Sequence, residues 1–252
     1  MKSDVVICLP ARYQSTRLPG KPLIEIAGKP LIIWALESAV NIKSKQMIVA
    51  TDDQRIYSLV ESAGYEVMMT SKHHSTGTDR IAEVAKKLSL DDETIVVNYQ
   101  GDEPLTPSAN INQLINALID NPRASIATLY QSINDFHDLI NPNNVKLVTD
   151  EKDNALYFSR SAIPYSRDYF GLEKLDTNLN YKHHIGLYAY RAKFLKEFSQ
   201  LAPTQLEKTE SLEQLRALSH GYNIVAKQAE KIMPHGIDTP QDVLNFEELM
   251  RQ

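Results

Sequence analysis

Short apolar runs alternate with longer amphipathic stretches through the first half of the chain. The runs at residues 5–9, 46–50, 66–69, 94–98 and 125–129 read as buried strands. Between them, residues 30–41, 53–63, 78–88 and 107–119 repeat apolar positions at helical spacing. The first of these begins at Pro30, a residue suited to the opening turn of a helix. Gly64 stands where the second should end. Strand and helix in strict alternation predict an α/β chain, a mainly parallel doubly wound sheet.

The second half has another rhythm. Residues 145–149, 155–158 and 181–190 read as strands, with less regular helix between them. Residues 166–180 are polar and of mixed charge, with Gly171 the one sharp breaker, and predict a surface excursion. A strong helix is expected over residues 206–219, where Leu212, Leu215 and Leu218 share a face. A closing helix over 240–250 follows Asp238-Thr239, either of which could cap it. No internal repeat, low-complexity tract or linker interrupts the chain. One domain over residues 1–252, with a smaller subregion embedded in the α/β core, is the expectation.

The loop leaving the first strand stands out chemically. It reads Leu9-Pro10-Ala11-Arg12-Tyr13-Gln14-Ser15-Thr16-Arg17-Leu18-Pro19-Gly20-Lys21-Pro22-Leu23. Open α/β sheets bind ligands beyond the carboxyl ends of their strands, which is where this loop begins. Arg12, Arg17 and Lys21 lie in it with no acidic neighbour. Residues 1–30 carry five Lys/Arg against two Asp/Glu, a local +3 that leaves the rest of a chain of net −5 at −8. Three loop cations can be mere solvated surface, but prolines 10, 19 and 22 stiffen the backbone that presents them. A cationic loop on an acidic protein points to a polyphosphate. The common glycine cradles are absent: Ser15 and Pro22 stand where a P-loop needs Gly and Ser/Thr, and no two of the nine glycines are separated by one residue. Side chains would have to hold the phosphates.

Composition narrows the rest. With 42% hydrophobic and 23% charged residues, the chain has an ordinary globular makeup. Net negative charge argues against general nucleic-acid binding. The initial apolar run is too short for a secretory signal, and no segment approaches the roughly 18 apolar residues of a membrane span. A soluble cytoplasmic protein is expected. Cys8, the one cysteine, lies inside the first apolar run and reads as an inert buried thiol.

Two acids are candidates for chemistry. Asp102, in Gln100-Gly101-Asp102-Glu103-Pro104, follows the most apolar strand and can serve as a Mg²⁺ ligand or as a turn residue. Asp238, in Gly236-Ile237-Asp238-Thr239-Pro240, can join it or cap the last helix. In Ala50-Thr51-Asp52-Asp53, one aspartate is expected to cap the helix that follows. Neither a zinc motif nor a nucleophile elbow is present. Adjacent His183 and His184 on a strand point to opposite faces, whereas alternation puts His184, Gly186, Tyr188 and Tyr190 on one. Glu210 and Glu213, three apart in the expected helix, share a side of it.

The segment from Arg12 to Leu23 resembles the nucleotide loop of the sugar nucleotidyltransferases, and more narrowly that of the 3-deoxy-manno-octulosonate (Kdo) cytidylyltransferases. Gln100-Gly101-Asp102-Glu103-Pro104, Asn141-Pro142-Asn143-Asn144-Val145-Lys146, Ala155-Leu156-Tyr157-Phe158-Ser159-Arg160 and Ile163-Pro164 follow the family pattern in order, from about residue 5 to 245. The resemblance implies transfer of CMP from CTP to the anomeric hydroxyl of Kdo, with release of pyrophosphate, for lipopolysaccharide assembly. It implies Asp102 and Asp238 as Mg²⁺ ligands, and Lys21, Arg12, Asp102 and Asp238 as the catalytic set. Nucleotide contacts would come from Leu9, Ala11, Arg12, Arg17, Lys21, Ser75, Thr76, Gly77 and Gln100. Sugar contacts would come from Arg80, Gln100, His184, Tyr188, Glu210 and Glu213. A homodimer is implied too, with residues 1–130 mainly serving CTP and 131–252 mainly the sugar and the dimer. Thr76 replaces the family's usual serine, His183 its common arginine, and His235 a small residue. The alternatives are transfer to another sugar acid, an amino-substituted Kdo or a sialic-type acid, and a non-catalytic nucleotide sensor.

Overall fold

A computed structural model describes residues 3–14, 18–74 and 76–251. Its elements run β1 (Val5–Ala11), the short hairpin β2 (Glu25–Ile26) and β3 (Lys29–Pro30), α1 (Leu31–Ala39), β4 (Gln46–Thr51), α2 (Gln54–Ser62), β5 (Glu66–Met69), α3 (Gly77–Lys87), β6 (Ile95–Asn98) and α4 (Ser108–Asp120). The second half gives β7 (Ile126–Ser132), α5 (Phe136–Ile140), β8 (Lys146–Thr149), β9 (Ala155–Ser159), β10 (Lys182–Arg191), α6 (Ala192–Phe198), α7 (Gln205–Glu210), α8 (Gln214–Ser219), β11 (Ile224–Gln228) and α9 (Pro240–Met250).

The main sheet has the order β11-β7-β10-β6-β1-β4-β5, with β8 and β9 hung from β10. β6, β1, β4 and β5 are mutually parallel, as are β7 and β11. β10 runs antiparallel between β6 and β7. Alternation along β1 divides its side chains between two cores. Ile7, Leu9 and Ala11 face the apolar sides of α1, α2 and α4, while Val6 and Cys8 face α3, α6 and α8. Apolar helix faces on both sides of a mainly parallel sheet are the doubly wound architecture the alternation predicts. Burial pushes the Cys8 thiol up to about 12, as an inert core residue requires.

Three features depart from the sequence reading. The single helix expected over 206–219 is two, α7 and α8, broken at Ser211, whose φ of 52° is left-handed. The break brings Arg216 back to Glu207, with Nε 2.8 Å from Oε2. Nine residues along an unbroken helix would hold those groups about 13 Å apart. The hairpin β2–β3, α5, α6 and β11 were not expected; α6 starts directly at the end of β10, so the two hydrophobic periods merge. Finally, β10 carries two extra residues relative to β7 between His184 and Tyr188, where Gly186 adopts a φ of 83°. An even insertion conserves parity, so His184 and Tyr188 remain on one face with their rings 5.3 Å apart.

Candidate active site

The β1 loop closes on itself before it reaches the site. Gly20 N–H donates to the Tyr13 carbonyl at 3.0 Å and Leu23 N–H to the Gly20 carbonyl at 2.8 Å. Gly20 has a φ of 69°, and a Cβ there would stand 3.1 Å from the Tyr13 ring, so only glycine turns the chain here. The turn delivers Lys21 into a largely buried position facing the carboxyl ends of β1 and β6.

Asp102 approaches from the other side. β6 ends at Asn98, Tyr99 N–H still donates to the Cys8 carbonyl at 2.9 Å, and the Gln100–Glu103 turn then swings the carboxylate over the sheet edge. Asp238 arrives from the far end of the sequence. Ile237 N–H donates to the Asp102 carbonyl at 2.9 Å, and its side chain packs with Ile26, Leu31 and Phe246. Thr239 is the N-cap of α9, in a reciprocal box with Asp242. The cap is therefore filled by Thr239, and the Asp238 carboxylate is directed elsewhere. Lys21 Nζ donates to Asp238 Oδ1 at 2.8 Å and forms a second, shorter bond to Asp102 Oδ2. The neighbouring Glu103 is buried beside Asp102, which together push its carboxyl up to about 8; its Oε2 has no partner among the described residues.

These groups form one end of a cleft of about 560 Å³. Of the expected site residues, Ala11, Arg12, Lys21, Gly77, Gln100, Asp102, Tyr188, Glu213 and Asp238 line it. Arg17 and Ser75 lie outside the described residues. Glu213, at the start of α8, also lines the cleft; burial raises its carboxyl, against Thr78 and Thr76, which lower it. Burial, with Tyr190 and Glu213 adding, keeps the Tyr188 phenol protonated well above its ordinary range.

Several of the remaining candidate residues are held by hydrogen bonds or packing of their own. Arg80 is fully buried: Nη2 donates to Asp52 at 2.7 Å and Nη1 bonds the Thr70 hydroxyl, so it braces α3 against the end of β4 and faces no cleft. Asp53 is the cap of α2, which leaves Asp52 to Arg80. Glu210 accepts from Ser159 Oγ at 2.6 Å and Arg160 N–H at 2.9 Å, on the far side of the Ser211 break from Glu213. The Leu9 side chain belongs to the core, so only its backbone remains to meet a ligand. The Thr76 hydroxyl caps α3 through Asp79 N–H at 3.1 Å. His184 stands behind Tyr188, its Nε2 2.9 Å from Thr128 Oγ1, and burial holds its imidazole down at about 3.

The cleft also contains residues that the motifs did not indicate. Asn98 and Gln214 are buried and line it, and Asn98 Oδ1 and Gln214 Nε2 have no partner among the described residues. Buried polar atoms left this way cost stability unless something pairs with them. The signal for Asn98 was present: it is the lone polar residue closing Ile95-Val96-Val97. Gln214 offered none, because its face depends on the helix break.

Comparison with known proteins agrees with this geometry. The Cytidylyltransferase family profile matches residues 6–232. A 3-deoxy-manno-octulosonate cytidylyltransferase of Pseudomonas fluorescens is 48% identical over 252 residues, covering 99% of each chain. One from Francisella tularensis subsp. novicida is 47% identical over 241 residues, covering 96% of each. Among solved structures, CMP:2-keto-3-deoxy-manno-octonic acid synthetase complexed with CTP superposes with a TM-score of 0.90 at 39% identity over 99% of both chains. A 4-diphosphocytidyl-2C-methyl-D-erythritol synthase from Anaerococcus prevotii shares the fold, with a TM-score of 0.64 at 12% identity. By profile, sequence and structure together, this chain belongs to the cytidylyltransferase family, among the 3-deoxy-manno-octulosonate cytidylyltransferases.

Proposed function

We propose that the protein transfers CMP from CTP to the anomeric hydroxyl of 3-deoxy-D-manno-octulosonate, releasing pyrophosphate, and that the product feeds lipopolysaccharide assembly. The observation that carries this reading is the meeting of Lys21, Asp102 and Asp238 at the end of a cleft that Arg12 also lines. In the reaction, the sugar hydroxyl oxygen bonds to the α-phosphorus and the bond to the bridging oxygen breaks. Pyrophosphate leaves with the electron pair, and the hydroxyl proton passes to water. Such a reaction needs alignment and charge neutralisation more than a covalent nucleophile.

Arg12 and Lys21 supply the neutralisation from the loop, joined by Arg17. Gln100, Tyr188 and Glu213 stand where they can orient the acceptor in the same cleft, and Asn98 and Gln214 offer it a buried acceptor and donor. Residues up to about 130 would mainly hold CTP, with Gln100 and Asn98 reaching the acceptor as well, and the later half the sugar.

The donor set fits Mg²⁺. Asp102 and Asp238 already share one cation, and two carboxylates are the protein complement this ion takes when phosphate and water complete its shell. When bound, the ion supplies positive charge at the reacting phosphate and lowers the pKa of the attacking hydroxyl.

We place the enzyme in the cytoplasm, where CTP is made; no helix of the described residues is long and apolar enough to cross a membrane. We assign it a homodimer, supported by exposed Tyr165 and Leu172 at the 166–180 excursion and Leu156 on β9, each above 60% accessible. Sedimentation of the purified protein at twice the monomer mass is the expected result. The function is tested by pyrophosphate release from CTP and Mg²⁺ with and without Kdo. Kdo-dependent release supports it; release only with a different sugar acid, or CTP binding without turnover, overturns it.

A further inference from the structure

We propose that Lys21 and the divalent cation compete for the same two carboxylates, so that the lysine must leave Asp102 and Asp238 for the triphosphate as the metal arrives. This rests on the metal assignment above and adds an order of events to it. The geometry points to it directly. Lys21 Nζ bridges Asp102 Oδ2 and Asp238 Oδ1, carboxylates 136 positions apart that no local structure would pair. A metal held by both side chains would need oxygens of the same pair at about 2.0–2.1 Å. An ammonium within hydrogen-bond reach of both oxygens leaves a second cation in contact with the first. Mutual repulsion between a unit charge and a divalent ion at such range disfavours joint occupation.

The lysine has somewhere to go. It is carried on a short 3-10 turn, Lys21–Leu23, that follows Gly20, and it lines the same cleft as Arg12. A triphosphate arriving there offers the ammonium new acceptors, while the metal takes over both carboxylates. Each move favours the other. Metal and nucleotide should therefore bind with positive coupling, and part of that coupling should reside in one side chain.

The measurement is Mn²⁺ binding, followed by loss of the free-ion electron paramagnetic resonance signal, to the nucleotide-free protein and to protein saturated with a non-hydrolysable CTP analogue. Wild type should bind Mn²⁺ weakly alone and on the order of tenfold or more tightly with the analogue. Lys21→Met should tighten nucleotide-free Mn²⁺ binding by on the order of tenfold and remove much of the coupling. Lys21→Gln provides a second variant should the methionine disturb folding, which thermal unfolding checks for both. Arg12→Met removes another cation from the same cleft, and should change Mn²⁺ affinity about twofold at most. Unchanged or weaker metal binding in both Lys21 variants overturns the exchange. Equal tightening in the Arg12 and Lys21 variants also overturns it, since a general field would then explain both. Failure of wild type to bind Mn²⁺ even with the analogue overturns the metal assignment itself, a result distinct from the other two.

Discussion

Two pairs of carboxylates, one in the cleft and one at its border, are used in opposite ways. In one, Asp102 and Asp238 come from the end of β6 and the start of α9 and both accept from Lys21. In the other, Glu210 and Glu213 lie three residues apart and diverge. Glu210 ties Ser159 and Arg160 to the end of α7, while Glu213 enters the cleft at the head of α8. The first pair is assembled by tertiary packing, through the Ile237–Asp102 backbone bond and the Thr239 cap. The second is divided by one residue, Ser211, in a left-handed conformation. Separation along the chain is therefore a poor guide to separation in this site. What decides is whether a backbone turn intervenes and which neighbour takes the competing role.

The convergent pair should show the largest effect. Asp102→Asn and Asp238→Asn should each lower turnover by about 100- to 1,000-fold, a loss typical of removing a preorganised electrostatic group. The double variant should fall little further, because the two act as one unit. Steady-state pyrophosphate release checks both, with circular dichroism to confirm the fold. Turnover near wild type in either single variant would break the pairing.

The divergent pair should separate binding from stability. Glu213→Gln should raise the KM for the sugar acid by about tenfold, the loss of roughly one charge-assisted hydrogen bond. Glu210→Gln should leave that KM in place and lower unfolding stability by about 1–3 kcal/mol, read from a denaturant midpoint. The reverse pattern would return Glu210 to the site.

Acid should weaken the corner behind Tyr188. The His184 imidazole stays neutral in the fold down to about pH 3, whereas an unfolded histidine takes up its proton near 6.5. The unfolded chain thus binds protons first, and stability falls as pH drops below 6.5. By pH 5 the loss from this one group is about 1–2 kcal/mol. His183, also lowered by burial, works in the same direction. His184→Gln should flatten the melting temperature between pH 6.5 and 5 relative to wild type; an unchanged slope would remove His184 from the account. The smallest effect belongs to the break itself. Ser211→Gly relieves a left-handed φ and should stabilise by about 1 kcal/mol without altering KM.

Much of this was legible from residues alone where structure is local. The strands β1, β4, β5, β6 and β7 appear within a few residues of their expected bounds, and β5 and α9 match at both ends. Their apolar runs permit only burial on both faces, and Pro, Gly and a capping threonine mark where helices start and stop. The cationic loop and the Asp102 turn were readable for the same reason: each is a short segment beyond a strand. Arg80, by contrast, was expected as a sugar contact from the family resemblance alone. Its partner, Asp52, lies 28 positions away, and nothing in the local pattern tells which of Asp52 and Asp53 will cap α2.

The amino-acid sequence by itself determined the layers of this protein, the loop that carries positive charge and the chemical types gathered around it. It did so because hydrophobic period and turn chemistry act over a few residues, where each side chain's options are few. Tertiary structure alone decided which carboxylates meet Lys21, which glutamate enters the cleft and that Arg80 is buried. Those outcomes turn on competition among neighbours brought together from distant positions: Thr239 over Asp238 for the cap of α9, Asp53 over Asp52 for that of α2, and Glu207 drawing Arg216 back across the Ser211 break.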